Sequence, residues 1–269
     1  MNPEENRLAA LFPDVAAQLR AALSNLHMVA QQLVPEETRE RDPVLDAKAA
    51  LLDQSYYQML RLVNSLSASA ILNSEAPFRF RDRDLVALVG DICARAGDLA
   101  PLLGLELRFV CAKERHICAV APDMMEQLLY QLLSNAFKFT PAGGTVTVEL
   151  KVSGKQVQLS VEDTGRGIPE ERLETLFDRY LQVGQQDPIP HGLGLGLALC
   201  RRIAEGHGGA LIASSKVGKG SRFMLSLPDR QIGGGVSDRM FDYTGGFNRT
   251  LLGLADALPY KAFLVRYQD

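Results

Sequence analysis

Two long apolar seams constrain this chain more than any other feature. Across residues 2–34, apolar side chains recur at Leu8, Phe12, Val15, Leu19, Ala22, Leu26, Val29 and Leu33. After Asp42-Pro43 they recur at Leu45, Ala49, Leu52, Tyr56, Met59, Val63, Leu66 and Ala70. In both runs the gaps alternate between four and three, the spacing of helices that pack along a heptad stripe. Each run opens on helix-start chemistry. Asn2 caps, Pro3 fits the first turn, and Glu4 and Glu5 suit the positive end of the dipole; Asp42-Pro43 repeats the device. Pro13 falls inside the first seam and predicts a kink or a restart. The intervening 35-PEETRERDP-43 reads as a polar loop. Two helices with one stripe each cannot hide both stripes as a pair. They pack on the rest of their own chain or, as the length of the seams favours, on a second copy to make a four-helix bundle.

At 73-NSEAP-77 the pattern breaks, and from Phe78 to Pro228 helices and strands mix. Residues 82–99, 122–138 and 192–205 read as helices. The stretches 105-LELRFV-110, 145-TVTVEL-150, 156-QVQLSVED-163, 210-ALIASS-215 and 221-SRFMLSL-227 read as strands. Both element types within one segment predict an α+β fold, a two-layer sandwich with helices on one face of a sheet. The predicted organisation is a helical hairpin for dimerisation over 1–73, the sandwich over 78–230, and a linker with a C-terminal extension over 231–269. In that extension 231-QIGGGVSDRMFDYTGG-246 is glycine-rich and polar. Leu251, Leu252, Leu254 and Leu258 predict a short helix, and 262-AFLVRY-267 a strand or extended segment. It either packs on the preceding domain, the simpler expectation, or docks on the hairpin or a partner.

Composition narrows the function classes. A net charge of -3 over 269 residues gives no reason to expect nucleic-acid binding. The four cysteines (Cys93, Cys111, Cys118 and Cys200) are scattered without metal spacing, which predicts reduced thiols in a cytoplasm. No apolar run approaches the roughly 20 residues of a membrane span, and 1-MNPEENRL-8 is no signal peptide. A signal arriving across a membrane is therefore expected to reach this chain through another.

Four short stretches carry chemistry. In 131-QLLSNAFKF-139, Asn135 and Lys138 share a helix face. An amide oxygen can ligate Mg²⁺ and a lysine can meet phosphate, although most such pairs are solvated surface. In 163-DTGRGI-168 a carboxylate ends a strand, placed to accept from an exocyclic amine, and Gly165 and Gly167 permit close backbone approach; a plain Asp-Gly turn is the alternative. In 192-GLGLGLAL-199, glycines open a helix whose bare amides suit an anion. The third glycine comes too early for a dinucleotide fingerprint, and the preceding segment is a loop. The fourth stretch, 218-GKGSRF-223, is a turn into a strand.

In this order and spacing the four stretches resemble the N, G1, G2 and G3 boxes of the histidine-kinase-like ATPases, which include gyrase, HSP90 and MutL. Both 176-LFDRY-180 and 207-HGG-209 resemble features of sensor histidine kinases in particular. The resemblance covers about residues 78–228. It implies an α/β sandwich holding ATP and Mg²⁺ under a mobile lid. By resemblance Asp163 reads adenine, Asn135 holds Mg²⁺ and Lys138 approaches the phosphates. Gly192, Leu193, Gly194, Leu195 and Gly196 form the hinge and phosphate-facing backbone, and Arg179 and Ser221 complete the nucleotide-binding set. His207 is structural in this reading.

The hairpin departs from the resemblance. Laying 17-AQLRAAL-23 on the acceptor pattern of sensor kinases keeps Leu19, Arg20 and Leu23. The acceptor histidine becomes Ala17, the acidic base becomes Gln18, and the Thr and Pro become Ala21 and Ala22. Of the other histidines, His27 lies about 15 Å along the helix and roughly 80° around it from Ala17, followed by Met28 rather than an acid. His191 borders the glycine hinge, and His116 shows no partner in sequence. The lid holds no Lys or Arg between Arg179 and His191, and Gln131 stands where gyrase-like members keep a glutamate base. ATP binding is thus expected, and rapid turnover is not. The resemblance points to a cytoplasmic homodimer without phosphoacceptor, a pseudokinase acting on a partner histidine kinase or response regulator. The alternatives are transfer of phosphate to another chain or to a non-standard residue, and nucleotide as a purely structural ligand.

Overall fold

The computed structural model describes residues 3–73, 78–178, 194–233 and 247–267. Helices α1 (Pro3–Leu33) and α3 (Pro43–Asn73) form a hairpin, with the short α2 (Glu36–Arg41) in the connection. Arg20 Nη2 donates to Asn64 Oδ1 at 3.0 Å, and His27 stacks on Tyr56, which fixes an antiparallel register. No restart occurs at Pro13: α1 is one continuous helix, so the missing proline N–H removes a rung without ending the ladder. Asp42 caps α3, its Oδ1 accepting from Val44 N at 2.9 Å and Leu45 N at 3.1 Å.

The hairpin divides its apolar residues between two faces. Ala16, Leu23 and His27 of α1 meet Ala50, Asp53, Tyr56, Leu60 and Val63 of α3, all buried. The alanines let the helices approach closely. The leucines of the heptad stripe point outward instead: Leu26 is 68% exposed, Leu33 77% and Leu52 49%. The expected polar loop contains α2, which has no apolar residue in 36-EETRER-41 and depends on one anchor. That anchor is buried Arg39, which donates to Asp46 Oδ1 at 2.9 Å, Asp53 Oδ2 at 2.8 Å and the Phe263 carbonyl at 2.9 Å.

The second region begins with β1 (Arg81–Asp84), followed by α4 (Leu85–Leu99), a 3₁₀ turn at Ala100–Leu103, β2 (Glu106–Cys111), β3 (Ile117–Val120) and α5 (Pro122–Phe139). Next come β4 (Thr145–Ser153), β5 (Gln156–Asp163), α6 (Glu170–Leu173), α7 (Gly196–Gly206), β6 (Ala210–Lys216) and β7 (Gly220–Pro228). The main sheet has the order β2-β4-β5-β7-β6, with β2 parallel to β4 and the other neighbours antiparallel. Helices α4, α5 and α7 cover one face. Ile92, Leu128, Leu132 and Ile203 bury against Val146, Val148, Leu159 and Leu225, the hydrophobic contact that holds the two layers together. β1 and β3 pair antiparallel as a separate ribbon. The helix expected from residue 82 therefore starts at Leu85, with Asp84 as its cap, and α7 starts at Gly196, with Gly194 and Leu195 outside it.

The C-terminal segment holds α8 (Arg249–Leu254), capped by Asn248, and 3₁₀ turns at Tyr260–Phe263 and Val265–Tyr267. The extended segment expected over 262–267 does not form. Burial of Phe263 at 0% exposure and Val265 at 9% coils this apolar run into a corner where no strand edge is offered. The segment bridges the two regions. Gln54 donates to the Leu258 carbonyl and Gln58 to that of Ala255, while Tyr130 bonds Thr250 at 2.7 Å and Arg249 pairs with Glu126. The four cysteines are free thiols. Among the described residues no helix is long and apolar enough to cross a membrane.

Candidate functional site

Helix α5 turns its leucines into the core and leaves Gln131, Asn135 and Lys138 half-buried on its other face. The spacing i, i+4, i+7 aligns the three in one polar row. Burial lowers the Lys138 pKa; Asp256 raises it, and Arg61 and Arg166 lower it further. Lys138 therefore senses charges from three other parts of the chain.

Asp163 ends β5 at 6% exposure. The ladder places it opposite Ser221 of β7. Its Oδ1 accepts from Gly165 N at 2.8 Å and Ser221 N at 3.3 Å. Burial raises its pKa, and those two N–H bonds pull it back down. Both bonds fall on Oδ1, which leaves Oδ2 for an incoming N–H. The Ser221 hydroxyl lies 3.0 Å from that of Ser215.

The glycines hold this carboxylate against α5. A Cβ at Gly165 would stand 2.4 Å from the Phe139 carbonyl oxygen, and one at Gly167, whose φ is +70°, 2.2 Å from that of Lys216. The close approach they allow is to the protein's own backbone. Between them Arg166 lies over the Phe139 ring, 4.5 Å from its centroid. At the start of α7, Gly194 has φ +67° and Leu195 is buried. A Cβ on Gly196 would fall 2.1 Å from Gln131 Nε2, so the opening of α7 rests directly on the polar row of α5. The structure thus brings Asn135, Lys138, Asp163, Gly165, Gly167, Gly194, Leu195, Gly196 and Ser221 around one end of the helical layer. Arg179, Gly192, Leu193 and His191 lie outside the described residues.

A purine nucleotide fits this chemistry. The open Asp163 oxygen can accept an exocyclic amine, and Lys138 with the α7 amides provides positive charge for phosphates. Among the described residues no group of three or more His, Cys, Asp or Glu could hold a metal ion. Mg²⁺ on Asn135 would therefore take its remaining oxygens from phosphate and water.

Among the described residues, His116 and His207 have hydrogen-bonded ring nitrogens, whereas His27 is held by stacking and its buried Nδ1 has no hydrogen-bond partner. His27 is 9% exposed and stacks on Tyr56 with centroids 4.0 Å apart. His116 lies 3.0 Å from Asp229 Oδ1. His207 Nε2 accepts from Ala121 N at 3.0 Å, which makes Nδ1 the donor to the Ile203 carbonyl at 2.7 Å; burial lowers its pKa and keeps it neutral. Two residues at the site escaped the sequence reading. Arg61 of α3 donates to Gln131 Oε1 at 2.9 Å and pairs with Asp256 at 3.0 Å. The only signal in sequence is the polar recurrence Gln54, Gln58 and Arg61, which is indistinguishable from a solvated helix face.

Residues 120–231 match the family described as histidine kinase-, DNA gyrase B- and HSP90-like ATPase. The chain is 31% identical over 217 residues to sensor protein SrrB of Staphylococcus aureus (strain N315), covering 80% of this chain and 37% of that protein. It thus spans little more than a third of that relative's length. The crystal structure of full-length ShkA in complex with AMPPNP superimposes with a TM-score of 0.66 at 22% identity, over 87% of this chain and 47% of that one. The catalytic domain of histidine kinase ThkA, nucleotide-free, gives 0.51 at 24% identity, over 56% of this chain and 99% of that one. These two likenesses speak to the fold alone.

Proposed function

The chain belongs to the family of histidine kinase-, DNA gyrase B- and HSP90-like ATPases, and from that premise we propose that it is an ATP-binding regulator of two-component signalling whose own phosphoacceptor has been lost. Asp163 takes the adenine amine, Lys138 and the start of α7 face the phosphates, and Asn135 holds Mg²⁺, which supplies charge neutralisation there when bound.

One observation supports the regulatory reading: the polar row of α5 lies against a hairpin whose single histidine, His27, is buried. On the sensor-kinase pattern the acceptor falls at Ala17 and the base at Gln18, both exposed on α1. Phosphorylating an imidazole needs a nucleophilic nitrogen and a group to take its proton. His27 is buried in the hairpin, His116 is paired with Asp229, and both His207 nitrogens are bonded. The hairpin then serves as output. Its outward stripe, Leu19, Leu26 and Leu33 with Leu52 and Met59, pairs with a second copy, and nucleotide sets the shape of that dimer. The partner acted upon is a histidine kinase or a response regulator.

The test is incubation of the full chain with Mg²⁺ and γ-labelled ATP, alone and then with candidate partners. The chain alone should yield no acid-labile phosphohistidine, and it should alter the labelling of an active partner kinase without donating label itself. Label passed to a catalytically dead partner would establish the alternative, a kinase acting on another chain. Label on the chain itself, lost in His27→Ala, would overturn the loss of the acceptor.

A further inference from the structure

The polar row of α5 ends at Gln131, and the group bonded there belongs to the hairpin. Arg61 Nη2 donates to Gln131 Oε1 at 2.9 Å, and its Nε lies 3.0 Å from Asp256 Oδ2. Gln131 is itself pressed on Gly196, the first residue of α7. A guanidinium from α3 and a carboxylate from the C-terminal segment thus meet at the junction of the two elements that would face phosphate. Their charges also reach Lys138, whose pKa is lowered first by burial, then raised by Asp256 and lowered by Arg61 and Arg166. Arg61 and Arg166 thus both act on Lys138 at this end, and Asp256 is the carboxylate that pairs with Arg61. The Arg61 side chain is 12% exposed and that of Asp256 30%, so the arginine is held in place and the aspartate sits at the rim.

We propose that Arg61 is a binding residue for the terminal phosphate of ATP, and that Asp256 is the internal anion with which that phosphate competes. This rests on the nucleotide reading above and names the regulation of the same site. A guanidinium fork fits carboxylate and phosphate oxygens equally well in shape, and the more highly charged phosphate is the stronger partner. Asp256 follows α8 in a segment tied to the same helix through the Leu258 and Ala255 carbonyls. Release of Asp256 therefore loosens the C-terminal segment from α3. A diphosphate, one phosphate shorter, leaves Arg61 on Asp256. The hairpin and the C-terminal segment then distinguish triphosphate from diphosphate without hydrolysis or phosphotransfer, which explains how a chain without an acceptor can signal its nucleotide state.

The experiment is calorimetric titration of the full chain with Mg²⁺-AMPPNP and with Mg²⁺-ADP, alongside amide hydrogen exchange over residues 252–258. Arg61→Gln should lose about tenfold or more in AMPPNP affinity and less than about twofold in ADP affinity. Asp256→Asn should gain about threefold or more for AMPPNP and nothing for ADP. In the unmodified chain AMPPNP, but not ADP, should speed exchange over 252–258. Should Arg61→Gln not fold, Asp256→Asn and the exchange data decide the matter. Equal shifts for both nucleotides, or unchanged affinities and exchange, overturn the proposal while leaving ATP binding intact. Failure of the unmodified chain to bind either nucleotide overturns the nucleotide reading and this proposal together.

Discussion

Asp53 in the hairpin and Asp163 in the sandwich are buried to nearly the same degree, at 4% and 6% exposure, yet they are satisfied in opposite ways. Asp53 faces the guanidinium of buried Arg39 at 2.8 Å, with His27 Nδ1 3.6 Å away. Asp163 meets no cation in the described structure; two backbone N–H groups hold one of its oxygens. A buried carboxylate neutralised by a fixed cation is closed to further chemistry. One steadied by amides, with an oxygen left over, keeps its demand for a partner. On the proposed reading stability is placed in the first and binding in the second, and each contrast below tests that division.

The largest effect is expected at Arg39. Arg39→Ala leaves Asp46, Asp53 and the Phe263 carbonyl without their shared donor. Stranding a buried charge costs about 3–5 kcal/mol, enough to lower the melting temperature sharply and to free the C-terminal segment to protease. Arg39→Met combined with Asp53→Leu removes both charges at similar volume and should recover most of the loss. A single-variant loss below about 1 kcal/mol would place this cluster with exposed ion pairs and erase the contrast with Asp163.

The comparison also accounts for what the sequence disclosed. Strands β4, β5, β6 and β7 were legible because each alternates inward and outward over several residues, as in 145-TVTVEL-150. The polar row was legible because Asn135 and Lys138 sit close in sequence and Asp163 ends a strand. β1 was missed because 81-RDRD-84 has no apolar residue; Asp82 is buried there by accepting from Ile232 N and Gly233 N, far away in sequence. α2 was missed for the same reason, its Arg39 anchor reaching Asp53 and Phe263. Arg61 and Asp256 gave no signal that sets them apart from a solvated surface, since their meeting depends on a C-terminal segment packing into a corner of the finished fold. Local periodicity reports elements. It does not report charges that find each other through tertiary contact.

Asp163→Asn should produce the converse of the Arg39 result. The Asn oxygen can still accept from Gly165 and Ser221, but an amide N–H replaces the open oxygen and meets an incoming amine donor to donor. Loss of a charge-assisted bond predicts an ATP affinity weaker by about 1.5–3 kcal/mol, measured by calorimetry. Stability should not fall. Because burial raises the pKa of Asp163 in the folded state, its ionised form opposes folding at neutral pH. That penalty is relieved as pH drops through the raised value. The variant should therefore melt at or above the unmodified chain at pH 7, with the gap closing on acidification. A drop in melting temperature like that of Arg39→Ala would make Asp163 a structural acid as well.

The smallest effect, and the finest test of the hairpin cluster, is the titration of His27. Burial lowers its pKa below 6.5; nearby Asp53 pushes the other way, and Arg39 reinforces the lowering. The unfolded chain takes up its proton near the ordinary value of about 6.5, while the folded chain resists until lower pH. Across that window the unfolded state binds more protons, so His27 makes stability fall as the solution is acidified. His27→Phe keeps a ring against Tyr56 and removes the titration. Its unfolding free energy should decline less steeply than that of the unmodified chain below about pH 6.5, by at most roughly 1.4 kcal/mol per pH unit. A residual slope remains in both because His207 is also buried with a lowered pKa. If the unmodified chain instead gains stability relative to His27→Phe on acidification, then Asp53 outweighs burial and Arg39 at this site. His27 is then a charged member of the cluster, and the hairpin holds a second responsive acid where the comparison places a closed one.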